Sequence, residues 1–158
     1  MTASTPAKRI VLAIGLPGSG KSAYFARRGI TPLSSDLLRR LLWGDETDQR
    51  LPHFVFGALR YLLRSRLLSG ARVTYVDATN ITRRDRSHFF RLAAQFGCAV
   101  DALYFNTPLE VCLARNRRRP RRVPDAAIRR MAARLQPPAL AEGFRRIVVV
   151  RSRADDVL

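Results

Sequence analysis

Residues 15–22 read Gly15-Leu16-Pro17-Gly18-Ser19-Gly20-Lys21-Ser22, a G-x-x-x-x-G-K-S spacing whose chemistry is phosphate binding. Glycines let such a loop curl until successive N–H groups point at phosphate oxygens. A helix starting at the end of the loop adds the partial positive charge of its N-terminus. Lys21 is then expected to reach the β- and γ-phosphates of ATP, and the Ser22 hydroxyl to hold Mg²⁺. Gly15, Pro17, Gly18, Ser19, Gly20, Lys21 and Ser22 together form the expected nucleotide cradle. An apolar run precedes them at residues 10–14 and a helical pattern follows over residues 22–28. That is the strand–loop–helix context the motif requires and a chance Gly/Ser-rich turn lacks.

Other residue types could complete a transfer site around a bound triphosphate. Ser34-Ser35-Asp36 reads as a helix start, with a serine cap and an acid in the first turn. A carboxylate at Asp36 can orient an acceptor hydroxyl and take its proton. Arg39 shares a helix face with Asp36 and could bind an anion on the acceptor; a cap acid paired with a surface arginine fits the spacing equally. Asp77 ends a run of strand-forming residues, 73–76. It either sits near Mg²⁺ and its waters or caps the following loop through Thr79 or Asn80. The loop 77–80 is expected to face the same crevice as residues 15–22. Residues 115–134 hold nine arginines against one acid, Asp125. They could close over the triphosphate, grip a nucleic-acid backbone, or form a solvated basic face. His53 and His88 have no partners at metal spacing, and Trp43, Tyr61, Phe89 and Phe90 read as core, with base stacking by one of them left open.

These residues need elements to hold them. Strands are expected over residues 9–14, 30–34, 73–76, 100–105 and 147–150. Helices are expected over 22–28, 37–43, 52–69, 82–96, from 107 into the basic run, and 124–135. The 52–69 pattern carries an apolar stripe of Val55, Leu59, Leu62, Leu63 and Leu67, with Arg60 and Arg64 on another face. Thr82 to Asp85 has the spacing of a capping box, and Pro108 is expected at the first helical position after Thr107. Strands alternating with helices give an α/β fold with a parallel sheet flanked by helices. The chain reads as a single domain over residues 1–158, with residues 1–8 a short disordered start.

Composition narrows the partner. The net charge is +17 over 158 residues, and all but two of the 29 basic residues are arginine. Genome bias can choose arginine over lysine, but so large an excess over acids points to a polyanion such as nucleic acid. No apolar stretch approaches a membrane span, the first eight residues lack a signal-peptide core, and no protein partner is identifiable. Cys98 and Cys112 form no C-x-x-C pair and read as buried thiols. A cytoplasmic protein is expected.

The glycine-rich loop, Asp36-x-x-Arg39, Asp77-Ala78-Thr79-Asn80, and Arg115-Asn116 followed by basic residues occur here in one order. Together they resemble the P-loop kinases of the 5′-hydroxyl polynucleotide kinase type, phage and bacterial, over roughly residues 10–150. The resemblance implies a P-loop kinase fold with five parallel strands in the order 2-3-1-4-5 and an arginine-rich lid. It implies ATP and Mg²⁺ as cofactors. By the same resemblance Asp36 is the general base and Arg39 holds the phosphate beside the acceptor nucleoside, with Asp77 and Asn80 on the substrate side. Arg115 and Arg119 are lid arginines over the ATP phosphates, with Arg117 or Arg118 as alternatives for the second. Ser35 departs from the pattern, since phage-type enzymes often carry an arginine there. Any phosphatase or ligase partner is expected to be separate.

The leading expectation is therefore ATP-dependent phosphoryl transfer to the 5′-hydroxyl end of DNA or RNA. A small-molecule kinase on the same scaffold and an NTP-dependent nucleic-acid-binding ATPase are the competing readings. An AAA+ motor is disfavoured because no paired Asp-Glu follows the third strand and a helical lid domain has no room.

Overall fold

The computed structural model describes residues 7–46 and 48–152. Five parallel strands run in the order β2-β3-β1-β4-β5: β1 Arg9–Ile14, β2 Leu33–Ser34, β3 Val73–Asp77, β4 Ala99–Phe105 and β5 Arg146–Val150. The expected sheet and strand order are thus those of the fold. The register places Ala13 and Ser34 on either side of Asp77, so the carboxyl ends of β1, β2 and β3 meet at one edge. On its other side β1 pairs with β4. Strand order reverses about β1, which opens a crevice beyond its carboxyl end, where ligands of such sheets bind.

Alternation along β1 distributes the core. Ile10, Leu12 and Ile14 face one layer, which contains Leu38 of α2 (Ser35–Trp43), four residues of α3 (Pro52–Leu68) and Phe89 of α4 (Arg83–Phe96). Val11 and Ala13 face the other layer with Phe25 of α1 (Lys21–Arg27), Leu103 and Phe105. A third cluster joins α5 (Leu109–Arg117) to α6 (Asp125–Arg134) through Cys112, Leu113 and Ile128, and includes Leu16 of the glycine-rich loop. The loop therefore packs on the basic helices as well as on the sheet. A 3₁₀ turn, Leu140–Glu142, precedes β5.

Several sequence expectations shift for identifiable reasons. The second strand shrinks to Leu33–Ser34 because Ile30 donates its N–H to the Phe25 carbonyl, closing the end of α1 around Gly29 at φ +62°. Pro32 has no N–H to extend the ladder. Pro108 is the residue before the first turn of α5, not within it. The Thr107 hydroxyl donates at 2.9 Å to the Ser19 carbonyl, so it tethers the glycine-rich loop where a helix cap was expected. The Thr82–Asp85 capping box forms as its spacing requires. Leu62 lies beside the buried stripe of α3 and is 37% exposed, and Tyr61, expected in the core, is 70% exposed. Cys112 is buried, but Cys98 is only partly so.

Of the expected disordered start, residues 1–6 lie outside the described residues. Lys8 is held, its Nζ donating to the Leu67 carbonyl at 2.9 Å and its carbonyl accepting from the Ala99 N–H. Among the described residues no helix is long and apolar enough to cross a membrane.

Candidate active site

The glycine-rich loop begins where β1 ends and turns at Leu16-Pro17-Gly18-Ser19. The Ser19 N–H donates to the Leu16 carbonyl at 3.1 Å, with proline second and Gly18 third at φ +81°. This is the residue order a type II turn favours, with the positive φ third that it requires. A Cβ at Gly18 would run into the backbone carbonyl of Cys112 on α5. Gly18→Ala is therefore expected to cost at least about 1 kcal/mol in stability from the positive φ alone. It should weaken nucleotide binding further by pushing the loop off α5. Urea denaturation and nucleotide titration measure the two effects, and wild-type values in both would contradict this account of the turn.

Lys21, at the start of α1, is buried and folds back on the loop. Its Nζ donates to the carbonyls of Gly15 at 2.9 Å and Leu16 at 3.0 Å. Burial lowers its pKa below the ordinary lysine value, against the opposing pull of the Asp77 and Asp36 charges. Beside it, the Ser22 hydroxyl donates to Asp77 Oδ2 at 3.2 Å. Burial raises the pKa of Asp77 above the usual carboxylate range; Lys21 and the Ser22 hydrogen bond pull it back. A cation beside this carboxylate would favour its charged form. Serine and aspartate oxygens are the hard ligands that suit Mg²⁺, which keeps several waters and takes the rest of its shell from phosphates. The Ser22–Asp77 pair fits that ion. Among the described residues no group of three or more His, Cys, Asp or Glu is placed to hold a metal by itself.

Asp36 stands in the first turn of α2, whose cap is Ser34 accepting from the Leu37 N–H. Its side chain is 66% exposed and accepts from Arg39 Nη1 at 2.9 Å. Arg39 is neither a surface arginine nor a wall of the cleft. It is buried at 7% exposure, and its Nε has no partner among the described residues. It supports Asp36 from beneath, while its neighbour Arg40 lines the cleft onto which Asp36 opens. Asn80 likewise turns away from the crevice. At φ +48° its amide donates to the Ala13 carbonyl at 3.0 Å, tying loop 78–81 to the end of β1. The Gly15 N–H donates to the Thr79 carbonyl, closing the same tie from the other side.

Two cavities open beside the glycine-rich loop and Asp36. One, of about 250 Å³, lies over Gly18, Ser19 and Gly20 and is walled by Arg115, Arg119 and Ser152. The other, of about 580 Å³, holds Ser22, Asp36 and Arg40, with Arg119 and Arg121 opposite. Arg119 lines both. The charges of Asp36 and Arg119 both act on Lys21 and on Asp77, so the four groups share one electrostatic neighbourhood. Arg115 bonds Ser152 at the chain's return from β5. Arg117 is committed to Asp125 at 2.7 Å, and Arg121 reaches Asp45 at 2.9 Å.

One buried pair had no sequence signal. Arg86, fully buried on α4, forms a two-pronged bond with Glu142 at 2.8 and 2.7 Å and donates to the Asn80 carbonyl at 2.9 Å. It clamps the loop that braces Gly15. An arginine inside a capping-box helix, followed far downstream by a glutamate, is an unremarkable pattern until the fold joins them.

The sequence pattern of the AAA domain family matches residues 10–138. No curated protein matches the sequence. Among solved structures, a chain of the Pnkp1/Rnl/Hen1 RNA repair complex superposes with TM-score 0.68 at 20% identity, covering 85% of this chain and 46% of that one. This chain thus spans less than half the length of that relative. A protein from Chloroflexus aurantiacus described as a kinase gives TM-score 0.71 at 15% identity, over 97% of this chain and 90% of that one. The Mycobacterium tuberculosis APS kinase CysC, solved with AMPPNP and APS, gives 0.57 at 20% identity, over 96% and 94%. At these identities the likeness is one of fold, that of the P-loop kinases, which bind a nucleotide with a divalent metal.

Proposed function

We propose that this chain, which belongs to the AAA domain family, is an ATP- and Mg²⁺-dependent kinase acting on the 5′-hydroxyl end of a nucleic-acid strand. The observation that carries this reading is the pair of adjoining clefts sharing Arg119, one over the glycine-rich loop and one over Asp36. A phosphate cradle alone binds a nucleotide. A second cleft with an exposed carboxylate, reached across a shared arginine, is what an acceptor hydroxyl requires. The third strand ends in Asp77 followed by Ala78, without the paired acids of an AAA+ motor, and this supports a kinase within the family.

In this reading Asp36 orients the acceptor hydroxyl and takes its proton as that oxygen bonds to the γ-phosphorus. The bond from the γ-phosphorus to the oxygen it shares with the β-phosphate breaks, and ADP leaves with that electron pair. Lys21 exchanges its loop carbonyls for β- and γ-phosphate oxygens, and Arg119 offsets the charge that spreads over the transferring group. Ser22 and Asp77 would hold Mg²⁺, which would supply charge neutralisation at the phosphates. Arg39 positions Asp36 from below. Arg115 holds the nucleotide side of the lid.

Nucleic acid is favoured as acceptor by the +17 charge and by Arg40, Arg119 and Arg121, which line the open acceptor cleft beside Asp36 and Glu46. The likeness in fold to an RNA repair complex chain agrees with it. A small anionic alcohol is the second reading, since the same fold serves an APS kinase. The test is transfer of label from γ-labelled ATP to 5′-hydroxyl DNA and RNA oligonucleotides, alongside APS and a panel of sugars. Labelled oligonucleotide is the expected result. Label on a small alcohol alone would overturn the nucleic-acid acceptor, and phosphate released only into water would overturn the kinase.

A further inference from the structure

We propose that the groove between α3 and α4 is a second binding site for single-stranded nucleic acid, gripping the backbone with Arg60, Arg64 and Arg91 and stacking a base on Tyr61. The groove has a volume of about 610 Å³ and no acidic residue lines it. Arg60 and Arg64 sit one turn apart on α3, while His88, Arg91 and Gln95 sit at three- and four-residue steps on α4, so the two ridges face each other across it. All three arginines are exposed, and among the described residues none of them makes an ion pair. Arg64 lies over the Phe96 ring, 5.5 Å from its centre, and Arg91 Nη2 is 2.5 Å from His88 Nδ1.

The charges around the groove act on its own histidine. Desolvation lowers the pKa of His88, and Arg91, Arg60 and Arg84 lower it further, with only Asp85 opposing. Like charges gathered in a concave surface without counter-charges repel, and a polyanion relieves that repulsion while releasing its own counterions. Tyr61 decides what kind of polyanion fits. At 70% exposure, on the rim between two arginines, it offers the aromatic face that single-stranded binders combine with a basic track.

The groove's place in the fold gives it a use. α2, which carries Asp36, packs in the same core layer as α3 and α4, on one side of the sheet. Arg60 is eight residues past Pro52, about 12 Å along the helix axis. In this proposal a strand with its 5′ end at Asp36 runs over that layer and lays its downstream phosphates in the groove. This use as an acceptor anchor rests on the kinase reading; the binding itself does not.

The test uses a 5′-phosphorylated single-stranded oligonucleotide, which cannot serve as acceptor, and the combined variant Arg60→Glu, Arg64→Glu, Arg91→Glu. Affinity is expected to fall by at least about tenfold, and the slope of log affinity against log salt by about 2, as three phosphate contacts are lost. Tyr61→Ala is expected to weaken binding about fivefold without changing that slope. Turnover of a 5′-hydroxyl dinucleotide, too short to reach the groove, should stay at the wild-type level in both. Unchanged oligonucleotide affinity in the charge-reversed variant overturns the proposal. Equally tight binding of poly-glutamate with the same sensitivity also overturns it, in favour of an acidic protein partner. If neither the dinucleotide nor a 5′-hydroxyl oligonucleotide is phosphorylated but the variant loses the oligonucleotide, the kinase reading fails and the groove stands. If the dinucleotide is phosphorylated and the variant binds as wild type does, the groove fails and the kinase stands.

Discussion

Replacing Asp36 with asparagine is expected to lower kcat for phosphoryl transfer by about 10²–10⁴-fold, the range that a positioned general base contributes. Nucleotide affinity should not fall, because among the described residues no hydrogen bond joins Asp36 to the loop 15–22 and the lost charge is of the same sign as the triphosphate. Asparagine is the informative change. It keeps the shape and can still accept the 2.9 Å hydrogen bond from Arg39, but it cannot take a proton at neutral pH. Alanine would also leave the guanidinium of Arg39 buried without its partner, and a loss of activity could then be blamed on α2. The complementary variant, Arg39→Met, should lower kcat less than Asp36→Asn does, since it leaves the carboxylate in place but unsupported. Steady-state kinetics with a 5′-hydroxyl oligonucleotide, together with nucleotide titration of the same samples, measure both quantities. Full activity of the asparagine variant would remove Asp36 from the chemistry.

Arg86→Met is expected to destabilise the protein by about 3–5 kcal/mol, the cost of breaking a buried ion pair from one side. The substitution strands Glu142, whose side chain is 8% exposed, and removes a donor from the Asn80 carbonyl. The double variant Arg86→Met, Glu142→Leu should recover much of that loss, because no buried charge is then left alone. Nucleotide affinity should not recover with it. Loop 78–81 reaches β1 through Asn80 and supports Gly15 through the Thr79 carbonyl, and the double variant restores neither the donor to Asn80 nor the geometry it sets. Urea denaturation gives the stabilities and nucleotide titration the coupling to the site. A single-variant loss below about 1 kcal/mol, the range of an exposed pair, would show that Arg86 is not the clamp described.

The local part of the site was legible because it is written in backbone requirements. A type II turn needs a positive φ third and favours proline second, and Leu16-Pro17-Gly18-Ser19 has a glycine and a proline in those places. The continuous apolar run of β1 and the Thr82–Asp85 box are equally local, and they formed where the sequence put them. Strand order was not read from spacing; it followed from resemblance to the polynucleotide kinase type, and the sheet has that order.

What the sequence by itself determined was therefore a glycine-rich loop of phosphate-binding pattern, an α/β frame, an acid at the end of the third strand and another in the first turn of the second helix. The tertiary structure alone decided which side chains share a cavity. Spacing assigns a residue to a face of its own helix but not to what that face meets. Arg39 and Arg40 are neighbours in sequence, and packing of α2 buried the first under Asp36 and turned the second into the cleft. Asn80 was drawn to the Ala13 carbonyl because an unpaired acceptor at the buried end of β1 would be costly. Within the basic run, Asp125 claimed Arg117 and left Arg119 between the two cavities. Arg86 and Glu142, 56 residues apart, became a pair only when α4 and the turn before β5 closed over the same loop. The glycine-rich loop belongs to a continuous stretch of chain. The cleft beside Asp36, the Arg86 clamp and the arginines between the two cavities are relations between distant stretches, and burial and charge pairing settle those only when the whole chain packs.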